Sequence, residues 1–197
     1  MAVVHHTTLV PSKLELLTAW LPRHDWYVGE ATGPSLAKVG GFRLDDPAGE
    51  VGIEFMTVRD DAARPVTAYL VPMTYRGSPL AGGDTALIGT AQHGVLGRRW
   101  IYDGTSDPVL LEQLAELIQG RVTAQAQSQS NTPDATVHAT PVRTAAGQRL
   151  TISFARRLSP AADGDVLPGA GEVTGLWTAT DGTLVRSLFA TARPLID

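Results

Sequence analysis

The chain has 197 residues, 43% of them hydrophobic and 18% charged, with 20 acidic against 16 basic side chains and a formal net charge of -4. A chain of this length and balance buries a sizeable core without a disulfide or metal staple, which excludes a disordered polymer and an electrostatic nucleic-acid binder. Cysteine is absent, and with it go thiol nucleophiles, disulfides, cysteine-type zinc sites and iron–sulfur clusters.

The stretch Met1 to Val10 has no basic start, no long apolar run and no small-residue cleavage pattern, and no run of 18 apolar residues occurs anywhere. The expectation is a cytoplasmic chain that spans no membrane. Arginine supplies all the basic residues except Lys13 and Lys38, and Asn131 is the sole asparagine.

Val3 to Val10 is β-branched and suits a strand that stops at Pro11. Ser12 and Glu15 have capping-box spacing and open a helix from Lys13 to Leu21, with Leu14, Leu17 and Leu21 on one stripe and Pro22 at its end. Three strands follow around Val39 to Leu44, Val51 to Arg59 and Val66 to Tyr75, divided by turn segments rich in Asp, Pro and Gly. Short connections favour antiparallel pairing. Two further strands are read around Leu87 to Gln92 and Arg99 to Tyr102.

Asp107 and Pro108 give a cap and a first-turn proline. The stripe Leu110, Leu111, Leu114, Leu117 and Ile118 then predicts a helix over 107–119, closed by Gly120. Residues 121–134 contain the polar run AQAQSQSNTPD and read as a linker or loop. Strand-like segments come last, at Ala135 to Arg143, Arg149 to Arg157, Val173 to Thr180 and Thr183 to Ala190, the final pair flanking the hairpin signal Asp181-Gly182. The fold class is α+β, an antiparallel sheet with an N-terminal helix and a second helix near 107–119, followed by a further antiparallel β region.

The chemistry-bearing residues are sparse. His5 and His6 are adjacent on a strand and point to opposite faces, while His24, His93 and His138 stand alone, so no metal site is expected. Gly33-Pro34-Ser35-Leu36-Ala37 lacks the second glycine of a nucleophile elbow, and neither lysine belongs to a phosphate loop. Arg98, Trp100, Tyr102 and Asp103 form the densest group of residue types found at binding hot spots, and on a strand the first three share a face. Trp26 and Tyr27 are further candidates for stacking a ligand.

The segment Trp20-Leu21-Pro22-Arg23-His24-Asp25-Trp26-Tyr27-Val28-Gly29 resembles part of the amino-terminal cap of actinobacterial maltokinases and related sugar kinases. Val71-Pro72-Met73-Thr74-Tyr75-Arg76-Gly77 and Leu96-Gly97-Arg98-Arg99-Trp100-Ile101-Tyr102-Asp103-Gly104 resemble the rest of that cap. The resemblance covers residues 1–120 and implies a cap-like domain there, with a curved antiparallel sheet packed with helices. It continues more weakly after the linker: Gln129, Ser130, Asn131 and Thr132 are similar to the stretch that opens the kinase amino-terminal lobe, and Leu150 to Leu158 to one of its strands. Residues 135–197 thus resemble a truncated, degenerate kinase N-lobe.

On that alignment the phosphate-contacting lysine falls at Ser153. The asparagine of a kinase catalytic loop has no counterpart, because Asn131 has Ala126 where the catalytic aspartate would stand. Phosphoryl transfer by this chain alone is not expected, and no cofactor is implied. The leading expectation is a non-catalytic module of maltose, trehalose or glycogen metabolism that binds a protein, either a sugar kinase or a second copy. The alternatives are an accessory subunit of a split kinase and a small-molecule binder of sugars or nucleotides. No nucleic acid or membrane partner is expected.

Overall fold

The computed structural model describes residues 8–29, 33–129, 131–142, 148–161 and 169–195. Residues 3–7 of the first expected strand, His5 and His6 among them, lie outside this set, and so does Ser130. Leu9–Val10 forms β1. Helix α1, Lys13–Trp20, opens with the expected capping box: the Glu15 amide donates to Ser12 Oγ at 3.3 Å and the Ser12 amide to Glu15 Oε2 at 2.7 Å. Pro22 does not stop the chain from coiling, since Leu21–Arg23 continues as a 3-10 turn in which proline occupies an early position that needs no amide donor.

The centre of the molecule is the antiparallel set β2 (Leu36–Leu44), β3 (Gly52–Asp60) and β4 (Thr67–Arg76). Beyond β4 come β6 (Gly97–Asp103), β5 (Leu87–His93) and then β1 at the outer edge. Helix α2, Pro108–Ile118, is capped as expected, Asp107 accepting from the Val109 amide. The later strands are β7 (His138–Thr140), β8 (Leu150–Phe154), β9 (Arg157–Leu158), β10 (Gly171–Thr178) and β11 (Leu184–Pro194). All the strand pairs are antiparallel and join 11 strands into one curved sheet among the described residues.

The strands expected at Ala135 to Arg143 and Arg149 to Arg157 are shorter and more broken than the local sequence suggests. The second divides at Ala155-Arg156, where the chain changes partners: the Ala155 amide donates to Phe189 O, and Arg156 O accepts from the Leu70 amide. So β8 pairs with β11 while β9 pairs with β4. On the other side β10 meets β2 at the single register pair Trp177 and Gly40. A closed circuit results, running β2, β3, β4, β9, β8, β11, β10 and back to β2, with strand pairing at every step except β9 to β8, where the chain itself makes the link. Gly40 permits the last contact, since a Cβ there would stand 2.7 Å from Leu176 O and 3.0 Å from Trp177 Cα.

Both faces of β3 and β4 are buried, because alternate residues feed two cores. On the inner face, Phe42, Ile53, Phe55 and Leu70 pack with Leu110, Leu114 and Ile118 of α2 and with Leu158, Val173 and Phe189 from the later strands. The Phe42 and Phe55 rings stack at 4.3 Å, and Phe189 lies parallel to Phe42 at 6.2 Å. On the outer face, Met56, Val58, Tyr69, Val71 and Met73 pack against Leu17, Trp20 and Leu21 of the α1 region and against Ile88, Ala91 and Ile101. The polar segment 121–134 is stitched to β2, with Gln125 and Arg43 exchanging two backbone hydrogen bonds of 2.9 Å.

Candidate functional site

Strands β1, β5 and β6 reach away from the centre and form a ribbon whose registers set its faces. Val10 lies opposite Gln92, and Gln92 opposite Arg98, so these three share one face; Trp100, two residues on, shares it with Arg98. The Arg98 guanidinium sits over the Trp100 ring at 5.0 Å. Such a pair holds a charged and an aromatic group ready without ordering either on binding. On the same ribbon Val10 is 65% exposed, and in the turn between β5 and β6 Val95 is 63% and Leu96 46% exposed. Apolar side chains this open gain little folding stability, and arginine and tryptophan are residue types enriched at binding hot spots.

Tyr102 shares the strand parity of Arg98 and Trp100 but is buried, its hydroxyl accepting from the Leu80 amide at 2.9 Å. The chain before β5 crosses over this end of β6 and closes it off. Asp103 is also buried and belongs to a different assembly: Arg156, from the β8–β9 junction, donates to Asp103 Oδ2 and, at 3.1 Å, to Thr105 Oγ1. The same guanidinium lies over Trp26 at 5.1 Å. Trp26 in turn stacks on His24 at 5.0 Å, and Trp20 meets the His24 ring at 4.0 Å. Burial in this stack lowers the His24 pKa below the ordinary imidazole value, with Asp103 pulling it up and Arg156 pushing it down.

Tyr27 donates to Asp60 Oδ2 at 2.8 Å and packs on Tyr69. The remaining Asp60 oxygen accepts the amides of Ser35 and Ala62, which fixes the turn after β3. The six aromatic and charged candidates therefore fall into three places: Arg98 and Trp100 on the open ribbon, Trp26 and Asp103 joined through Arg156, and Tyr27 and Tyr102 each holding a neighbouring loop. In the segment Gln129 to Thr132, Gln129 is exposed, Asn131 has a φ of 53°, and Thr132 O accepts the Ala126 amide at 2.8 Å. Ser153, at the position of the kinase lysine, is exposed on β8.

Sequence reasoning missed two groups. Arg156 is one, since its partners lie fifty residues upstream. The other is Glu54, buried on β3 and contacted by Lys13, Lys38, Tyr75 and Gln127. The scarcity of lysine was the available signal: two lysines in 197 residues, both at one carboxylate. Among the described residues no group of three or more His, Asp or Glu could hold a metal ion, and no helix is long and apolar enough to cross a membrane.

Residues 20–107 match the family model of the maltokinase N-terminal cap domain. No curated protein matches the chain. The matched segment runs from the end of α1 to the cap of α2, takes in β2 to β6, and includes no catalytic lobe. Over these residues the chain is similar to that cap domain.

Proposed function

We propose that this protein is a non-catalytic module of maltose metabolism that acts by binding another protein, a sugar kinase or a second copy of itself, through the ribbon face around Arg98 and Trp100. The observation that carries this reading is the preassembled Arg98–Trp100 pair on the ribbon face that it shares with the exposed Val10. A small-molecule groove is less well supported. Trp26, Tyr27 and Tyr102, the aromatics best suited to stack a sugar or nucleotide, are each held by residues of their own chain. Catalysis by this chain has little to draw on, with Ser153 in place of the lysine and no asparagine-bearing catalytic loop.

Sedimentation velocity of the purified chain, alone and mixed with a maltose kinase from the same cell, tests the proposal. A dimer or a complex that dissociates in the Arg98→Ala, Trp100→Ala variant is the expected result. A wild-type monomer that binds no such kinase, or a complex indifferent to the double substitution, contradicts it.

A further inference from the structure

Both lysines of the chain converge on one buried carboxylate. Glu54 is 3% exposed; its Oε2 accepts from Lys13 Nζ at 2.5 Å and from the Tyr75 hydroxyl at 2.6 Å, and its Oε1 from Gln127 Nε2 at 3.1 Å. Lys38 Nζ stands 3.8 Å from Oε1, beyond hydrogen-bonding distance, and its side chain is 40% exposed. One carboxylate balances one ammonium, so the cluster of Lys13 on α1, Lys38 on β2, Glu54 on β3 and Tyr75 on β4 carries a surplus positive charge. The short contact belongs to Lys13, while Lys38 keeps only the longer ion pair of 3.8 Å and is open to solvent.

Three influences act on it. Burial of its stem lowers the Lys38 pKa below the ordinary amine value, Glu54 draws it back up, and Lys13 pushes it further down. Glu54 is itself largely engaged by Lys13, Tyr75 and Gln127, which weakens the only pull in favour of the ammonium. A lysine beside a second cation in a partly desolvated setting frees its amine lone pair at lower pH than an isolated lysine does.

We propose that Lys38 is a nucleophilic site that captures small aldehydes as a reversible imine. The nitrogen lone pair adds to the carbonyl carbon and the C=O electron pair moves onto oxygen. That oxygen then leaves with both amine protons as one water, and the C=N bond forms; hydrolysis runs the same steps backward. No oxidant or reductant takes part.

The full chain treated with glycolaldehyde and cyanoborohydride at neutral pH, with the trapped secondary amines located by peptide mass spectrometry, tests this. Labelling of Lys38 about fivefold faster than Lys13 is expected, because the Lys13 nitrogen is engaged at 2.5 Å by Glu54 and the Lys38 nitrogen is not. Lys13→Met, which releases Glu54 to Lys38, should slow the Lys38 reaction. Equal or faster labelling of Lys13, or a Lys38 rate unaffected by Lys13→Met, overturns the proposal. If that variant fails to fold, the wild-type pH profile decides instead: Lys38 labelling should rise at lower pH in the folded chain than in urea, and coincident profiles overturn the assignment.

Discussion

The two faces of β3 and β4 show how differently one sheet can be used. The inner face is largely apolar and is completed by residues that follow the cap-like segment, with Phe189 stacked beside Phe42 and with Leu158 and Val173 in the same core. The outer face is completed from within or just before that segment, by Leu17, Trp20, Ile88 and Ile101, and it holds the charged cluster at Glu54. Strands β3 and β4, buried on both sides, tie the two together. The cap-like segment therefore draws one of its cores from the chain after residue 120, while the β1–β5–β6 ribbon gives Ile88, Ala91 and Ile101 to the outer core and presents Arg98 and Trp100 on its other side.

The strongest way to break this comparison is to cut the chain after residue 120. The inner core then loses Val142, Leu158, Val173, Phe189, Ala190 and Ala192 together, and circular dichroism on heating should show no cooperative transition. A sharp transition in the fragment would mean that the first 120 residues form a core of their own. Next in size, Phe189→Ala should destabilise the full chain by about 3 to 5 kcal/mol in urea unfolding, the range for a fully buried aromatic. A loss below about 1 kcal/mol would show that the inner core collapses onto the gap, against the close stacking with Phe42.

Arg156→Met sharpens the comparison, because this residue of the later strands reaches across to Asp103 and Thr105 of the cap-like segment. Asp103 would be left half-enclosed without its cation, and a loss of about 1 to 2 kcal/mol is expected, moderated by the solvent that still reaches both side chains. Unchanged stability would reduce the contact to a surface pair.

A pH series separates charge from packing at the α2 cap. Burial alone would raise the Asp107 pKa, but hydrogen bonds from Arg76, Thr74 and the Val109 amide outweigh it and hold the carboxyl below its ordinary 3.8. A depressed folded value means stability that is present above 3.8 and is lost as the pH falls through the folded value. Asp107→Asn should therefore be less stable than wild type at neutral pH and lose less on acidification. Parallel pH curves for the two proteins would remove Asp107 as a source of acid sensitivity.

Legibility in the sequence followed the range of the interactions. The α1 capping box and the Asp107-Pro108 start of α2 could be read directly because their partners lie within three residues. The central strands showed through their β-branched content, although β3 and β4 do not alternate visibly, both of their faces being buried. The division of Arg149 to Arg157 into β8 and β9 was not legible. It is dictated by Phe189 and Leu70, each more than thirty residues away. Among the binding candidates, strand parity correctly put Arg98 and Trp100 side by side, but parity carries no information about the loop that buries Tyr102. Glu54 escaped notice because a lone glutamate in a strand looks like a solvated residue until the two lysines are seen to meet at it.

The smallest expected change in stability is also the most informative. Arg98→Ala, Trp100→Ala should be measured for urea unfolding and for association by sedimentation in parallel. The expected result is an unfolding free energy within about 0.5 kcal/mol of wild type, as for other substitutions outside a core, together with loss of the dimer or complex. A double variant that still associates, or one that loses stability to the degree of Phe189→Ala, would contradict the division between a packed sheet and a ribbon kept open for a partner.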